Sequence, residues 1–239
     1  MKTVTAPKTA AAATLLRLRS DIVAGTLAPA SRLKVTDLSL TYGIGATPIR
    51  EALLQLAATG FVEAEGQKGF RVPETTLEEL TDIVRTRRVL EAEALRLAIR
   101  HGGPAWEAGI TSAFAAFRAR LEACQSADDA KMACYERLHH AFHRAVLAGC
   151  PYETLLTLCD SLYLRTSRYR LLLTRIGYPF SPQGEIAAHA ALMNLALARS
   201  SAEAVSLLVA AIDATAEAVA AMLASGAAGQ PHGPGQAPA

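Results

Sequence analysis

Hydrophobic positions recur at three-and-four spacing along most of the chain, and glycine or proline interrupts the repeat at intervals, the pattern of a largely helical protein. From Ala10 to Ala24 the apolar residues Leu15, Leu16, Leu18, Ile22 and Val23 predict an amphipathic helix closed by Gly25. A short helix is predicted over Thr36 to Tyr42, with Asp37 in its first turn and Gly43 placed to end it. A third runs from Pro48 to about Thr59, buries Ile49, Ala52, Leu53 and Leu56, and stops at Gly60. Its start is marked by Thr47 as a cap, Pro48 at the first helical position and Glu51 in the first turn. Phe61–Ala64 and Phe70–Val72 then flank the loop Glu65–Gly69 and predict a β-hairpin.

Beyond Pro73 nearly everything reads as helix, over about 76–101, 104–124, 128–149, 151–175, 182–199 and 201–224. The breaks fall at Gly102-Gly103-Pro104, Gly149-Cys150-Pro151, Gly177-Tyr178-Pro179 and Ser200-Ser201. The expected fold is mostly α: an N-terminal winged helix-turn-helix domain over 10–75, then an all-α antiparallel helical bundle over 76–224. Residues 1–9 and 225–239, rich in small residues, proline or glycine, are expected to be flexible tails.

A chain of 239 residues with 51% hydrophobic and 19% charged residues can fill one large or two modest cores. No apolar run approaches the roughly 20 residues of a membrane span, and the start Met1–Pro7 lacks a secretory core, so a cytoplasmic protein without a membrane partner is expected. Cys124, Cys134, Cys150 and Cys159 form no CxxC pair and read as buried free thiols. The formal net charge of +2 is unevenly spread: residues 1–75 hold nine Lys or Arg against six acids, net +3, leaving net −1 for the rest. That asymmetry suits a nucleic-acid partner for the N-terminal part.

The helix after Thr47 projects Arg50 from its N-terminal end, away from Ile49, Leu53 and Leu56, where a recognition helix presents base-reading side chains. Arg32, Lys34, Lys68 and Gly69, with Thr47, are candidates for phosphate or groove contacts on double-stranded DNA. In the second part, the stripe Leu80, Val84, Arg87, Glu91, Ala94, Ala98 turns two ionisable residues inward. Arg87 and Glu91 either pair across one helical turn or line a pocket for a carboxylate ligand. A second stripe, Met132, Glu136, His139, His143, Val146, Cys150, puts two imidazoles one turn apart. His189 lies on the stripe Ile186, His189, Met193, Leu197 of a later helix that a bundle can bring to the same cavity. His139, His143 and His189 can therefore hold a divalent transition metal such as Zn²⁺, or bind an effector's carboxylate by hydrogen bonds.

Ile22–Pro29, Arg32-Leu33, Tyr42-Gly43-Ile44, Thr47–Leu53, Gly60-Phe61-Val62 and Gly69–Val72 together resemble the winged helix-turn-helix domain of the GntR family of bacterial transcription regulators. Arg87–Glu91, Phe142-His143 and His189 resemble the helical ligand-binding (FCD-type) domain of its FadR subfamily. The family's recognition turn commonly reads Ser-Arg-Thr-Pro, and Gly45 and Ala46 stand here in the first two places, with Thr36 where an Arg is often found. The resemblance thus implies an operator unlike those of near relatives. It also implies that Arg87 lies near the effector site. In metal-binding members the ligands are Asp, His, His, His; on that pattern His139 replaces the Asp, His143 and His189 match, and the last place falls at Ala211, which cannot coordinate. Asp213 is the acid nearest that place.

Two functional classes follow. The first is a homodimeric, ligand-responsive regulator, a repressor released or modulated by a small organic acid, whose two recognition helices enter successive major grooves. The second is a metal-dependent enzyme domain fused to a DNA-binding module, with Glu136 as its general base.

Overall fold

The computed structural model describes residues 10–66, 69–123, 129–175 and 181–224. Lys68, Cys124 and the expected tails lie outside them, as does the side chain of Met132. Among the described residues are nine α-helices and three short strands, and the mostly helical class expected from the periodicity holds.

Helix α1 (Ala10–Val23) packs Leu18 and Ile22 against α3 (Ala46–Ala58), which contributes Ile49, Ala52, Leu53 and Leu56. Between them α2 (Val35–Tyr42) ends on Gly43, whose left-handed φ of 65° lets its N–H reach the Ser39 carbonyl. The start of α3 differs from expectation. Gly45, not Thr47, is the N-cap, so Thr47 and Pro48 lie inside the first turn and Glu51 in the second. Proline is accommodated there because the first four N–H groups of a helix have no intrahelical acceptor.

Strands β1 (Arg32–Leu33), β2 (Glu63–Ala64) and β3 (Phe70–Arg71) form an antiparallel sheet in the order β1-β3-β2. The hairpin is shorter than expected because Phe61 and Val62 belong to the cap of α3: Gly60 takes φ 74° and the Phe61 N–H returns to the Leu56 carbonyl at 2.9 Å. Both side chains still join Leu33, Leu38, Phe70 and Val72 in the first core.

The second core belongs to six helices: α4 (Leu77–His101), α5 (Pro104–Glu122), α6 (Asp129–Leu147), α7 (Glu153–Arg175), α8 (Pro182–Leu197) and α9 (Ser201–Ala224). Thr76 caps α4 by accepting from the Glu79 N–H at 3.1 Å, and Ser181 caps α8 by accepting from Gly184. Helix α4 lies between α7 and α9, while α5 packs against α6 and α8. Trp106 is half of the weld between α5 and α6, donating from Nε1 to the Val146 carbonyl at 3.1 Å. Helix α9 corrects the expectation that no segment approaches a membrane span: by length and composition it is long and apolar enough to cross one, with Glu203, Asp213 and Glu217 along it. Its Ala204, Val205, Leu208, Ile212, Val219 and Met222 are buried in the bundle.

Candidate functional site

On the N-terminal face, the buried stripe Ile49, Ala52, Leu53, Leu56 fixes how α3 is rotated, and Thr47 and Arg50 consequently stand exposed on its other side. Arg32 and Lys34 are also exposed and bracket Leu33, the core-facing residue of β1. Gly69 takes φ 95°, a conformation few other residues adopt, and its carbonyl accepts from the Glu65 N–H at 2.9 Å. The loop is also tied by Arg71, whose Nε reaches Glu65 at 2.6 Å and whose Nη1 reaches the Ala30 carbonyl at 3.3 Å. The described ends of the hairpin loop are thus held by Glu65, Gly69 and Arg71, while the first turn of α3 stands exposed.

The second candidate lies inside the bundle. His139 and His143 come from α6 and His189 from α8, and one ring nitrogen of each lies within 4.8 Å of the others. His139 Nε2 and His143 Nε2 are 3.3 Å apart. His189 donates from Nδ1 to the Glu185 carbonyl at 2.7 Å, which leaves the Nε2 lone pair of that ring available. His139 Nδ1 is hydrogen-bonded to the hydroxyl of Tyr163. Burial raises the Tyr163 hydroxyl well above its ordinary value, so it stays protonated and can serve either tautomer of the ring. Burial likewise holds His139 and His143 well below the usual histidine range, and the neighbouring imidazoles, Arg87 and Arg170 push in the same direction. His189 is lowered too, again chiefly by burial. Neutral imidazoles are the form that ligates metal.

Two buried ion pairs flank this cluster. Arg87 binds Glu91 through Nε at 2.6 Å and Nη2 at 3.2 Å, and both residues are at most 3% exposed. Of the two alternatives for Arg87 and Glu91, the pairing is therefore made. Arg170 binds Glu136 through Nε at 2.9 Å and Nη2 at 2.7 Å. The guanidinium carbons of Arg87 and Arg170 lie 5.3 Å and 4.7 Å from the Tyr163 ring centroid. His140 faces away from the cluster, bonding Asp160 at 2.7 Å and stacking on Tyr163 at 4.6 Å. Phe117 packs on His189, 4.7 Å between centroids, and closes the side toward α5.

The three nitrogens suit a metal. Tetrahedral Zn²⁺ with nitrogen at about 2.0–2.1 Å places its ligands roughly 3.3 Å apart, the separation found between His139 and His143. The ring nitrogen of His189 lies within 4.8 Å of the other two. Ala211, the fourth place on the family pattern, is exposed on α9, and Asp213 pairs with Arg88 at 3.6 Å instead of joining the histidines. Tyr163 and Arg170 were not anticipated from the sequence. Both stand on one face of α7, but their partners lie on α6, so spacing within α7 alone does not single them out.

A winged DNA-binding module in series with a helical domain built around a buried polar cluster defines a ligand-responsive transcription regulator. The chain belongs to the GntR family: residues 11–72 match "Bacterial regulatory proteins, gntR family" and residues 82–225 match the FCD domain. It is 38% identical over 158 residues to the HTH-type transcriptional repressor GlaR of Escherichia coli K12, across 66% of this chain and 71% of GlaR. Identity to the HTH-type transcriptional regulator BphR of Paraburkholderia xenovorans LB400 is 34% over 196 residues, 82% of this chain and 79% of BphR. The solved structure of E. coli McbR/YncC shares the fold, with a TM-score of 0.76 at 21% identity over 90% of this chain and 99% of that one. GlaR is named a transcriptional repressor and BphR a transcriptional regulator, and the metal-dependent enzyme reading finds no support in either.

Proposed function

We propose that the chain is a repressor that reads a roughly palindromic operator as a homodimer and is released or modulated by a small organic acid. Arg50 and Thr47 of α3 are its major-groove contacts, with Arg32, Lys34, Lys68 and Gly69 on the backbone or in the flanking groove. Their exposure, with the apolar stripe of α3 turned inward, supports this reading. The dimer is supported by Val89, 69% exposed on α4, and by the outward Ala210, Ala214 and Ala221 of α9, which offer apolar surface for a second copy. As a DNA-bound regulator it works in the cytoplasm.

The convergence of three neutral imidazoles carries the effector reading. Both neighbouring arginines already have a glutamate of their own, so Arg87 and Arg170 have little charge to spare for a free carboxylate. A divalent transition metal such as Zn²⁺ held by His139, His143 and His189 would supply the missing attraction, since three protein ligands leave a tetrahedral ion room for the acid or water. Tyr163 and the Glu185 carbonyl hold two of the rings from behind. Elemental analysis of protein purified without chelator tests this. The wild type is expected to carry close to one metal per chain and a His143→Ala, His189→Ala double variant almost none; equal contents would remove the site.

A further inference from the structure

We infer that α7 is a lever shared by the pocket and the recognition helix, and that Glu79 and Arg165 are the positioning residues that fasten it to the DNA-binding part. The inference rests on the regulator reading above and adds the residues through which its two sites communicate. Within two turns, α7 turns one side to each. Tyr163 bonds His139 and Arg170 grips Glu136 on the pocket side. On the other side Arg165 Nη2 reaches Glu79 at 2.9 Å, Arg168 Nη2 reaches both Glu79 oxygens at 2.8 and 3.0 Å, and the Tyr169 hydroxyl donates to Glu79 at 2.5 Å. Tyr169 also approaches the Thr76 carbonyl at 3.2 Å, just ahead of α4.

Arg165 carries the connection onward. Its guanidinium lies against Gly60, where a Cβ would stand 3.3 Å from Cζ, and Gly60 is the residue that closes α3. A cation at a helix C-terminus is favourably placed against the helix dipole. The first turn of α4, α7 and the end of the recognition helix are thus joined through one carboxylate and one guanidinium.

The charge balance makes this joint sensitive. Arg165 and Arg168 both take Glu79 as their ion-pair partner, so one positive charge is in excess, and Arg168 is only 5% exposed. Among the described residues, Arg168 Nε and Nη1 and Arg165 Nε are buried without a hydrogen-bond partner. Removing the Glu79 charge leaves two guanidiniums with no counter-charge, a larger disturbance than loss of a balanced surface pair. Tyr163 and Arg170 are seven residues apart, about 10 Å along a helix. Over that length α7 moves as a body, and packed elements shift between discrete arrangements rather than deform.

Coupling between two sites is reciprocal, so each end of the lever reports on the other. Amide hydrogen exchange of the full chain, followed by peptide mass spectrometry without DNA or ligand, reads both. Glu79→Gln is expected to speed exchange about tenfold around residues 56–62 and also across 136–147, and Glu136→Gln to do the same at 56–62, with 104–112 unchanged in both. Changes confined to the neighbourhood of each substitution would overturn the lever. If Glu79→Gln does not fold, Arg165→Gln keeps the Arg168–Glu79 pair and is read against the same two outcomes. The measurement uses neither operator nor effector. Its failure removes the lever and leaves the regulator reading to stand or fall by DNA binding.

Discussion

At His189 one backbone contact decides what the ring can do. The Glu185 carbonyl can only accept, so Nδ1 carries the proton and Nε2 keeps its lone pair toward the other two imidazoles. The same reasoning separates reactive from inert thiols. Cys159 is buried, and desolvation, reinforced by Glu91, pushes its thiol up to about 12. A raised thiol pKa means the neutral form prevails at every pH below it, so at pH 8 almost no thiolate is present. Iodoacetamide at pH 8 is accordingly expected to leave Cys159 unmodified in the native chain and, among the described cysteines, to label Cys134, half-buried on α6, ahead of the buried Cys150 and Cys159. Rapid labelling of Cys159, located by peptide mapping, would contradict the burial assigned to it. The sequence reading took Cys134 as buried too; a position between two stripes on a helix does not reveal how far its neighbours cover it.

At the scale of elements, helical periodicity predicted each helix to within a few residues, because a three-and-four apolar stripe reports burial directly. Two features escaped it. Strand β1 has only two residues, too few to show alternation, and exists because Leu33 drops into the core and pairs with Phe70. The cap of α3 falls at Gly45, with no side-chain bond to the helix, so that the helix begins at Ala46, one residue before the threonine that local preference favours. Close contact between elements also decides which glycines can be replaced. A Cβ at Gly149 would lie 2.6 Å from the Ala98 carbonyl oxygen and 3.1 Å from its Cα, both backbone atoms of α4. Gly149→Ala must therefore push α4 from the end of α6, at a cost of about 1–3 kcal/mol. At about 2–4 °C per kcal/mol for a chain of this size, calorimetry should record a Tm lower by about 2–12 °C. An unchanged Tm would mean that this contact is looser than the geometry states.

At the scale of the whole molecule, two cores are built on either side of Pro73 and meet where α7 touches α1, α4 and the end of α3. The halves of the site were unequally legible. His139 and His143 follow from one inward stripe, which they share with Glu136, and His189 follows from another, whose remaining members are apolar. Tyr163, Arg170 and the Glu79 joint depend on which helices pack together, and no spacing within one helix carries that information. Arg50 is the reverse case. Its exposure follows from the burial of Ile49 and Leu53, and among the described residues it is given no partner that would explain it otherwise.

The central claim, that α3 reads DNA through Arg50, is tested most directly by titrating one duplex, enriched from a randomised pool by the wild-type chain, with wild type and Arg50→Ala. Loss of a base contact is worth roughly 1–3 kcal/mol, and both half-sites of a palindrome lose it. The account predicts that affinity for the duplex falls by at least about tenfold, while the native mass of the protein and its metal content stay those of the wild type. Equal affinity of the two proteins for that duplex would contradict it.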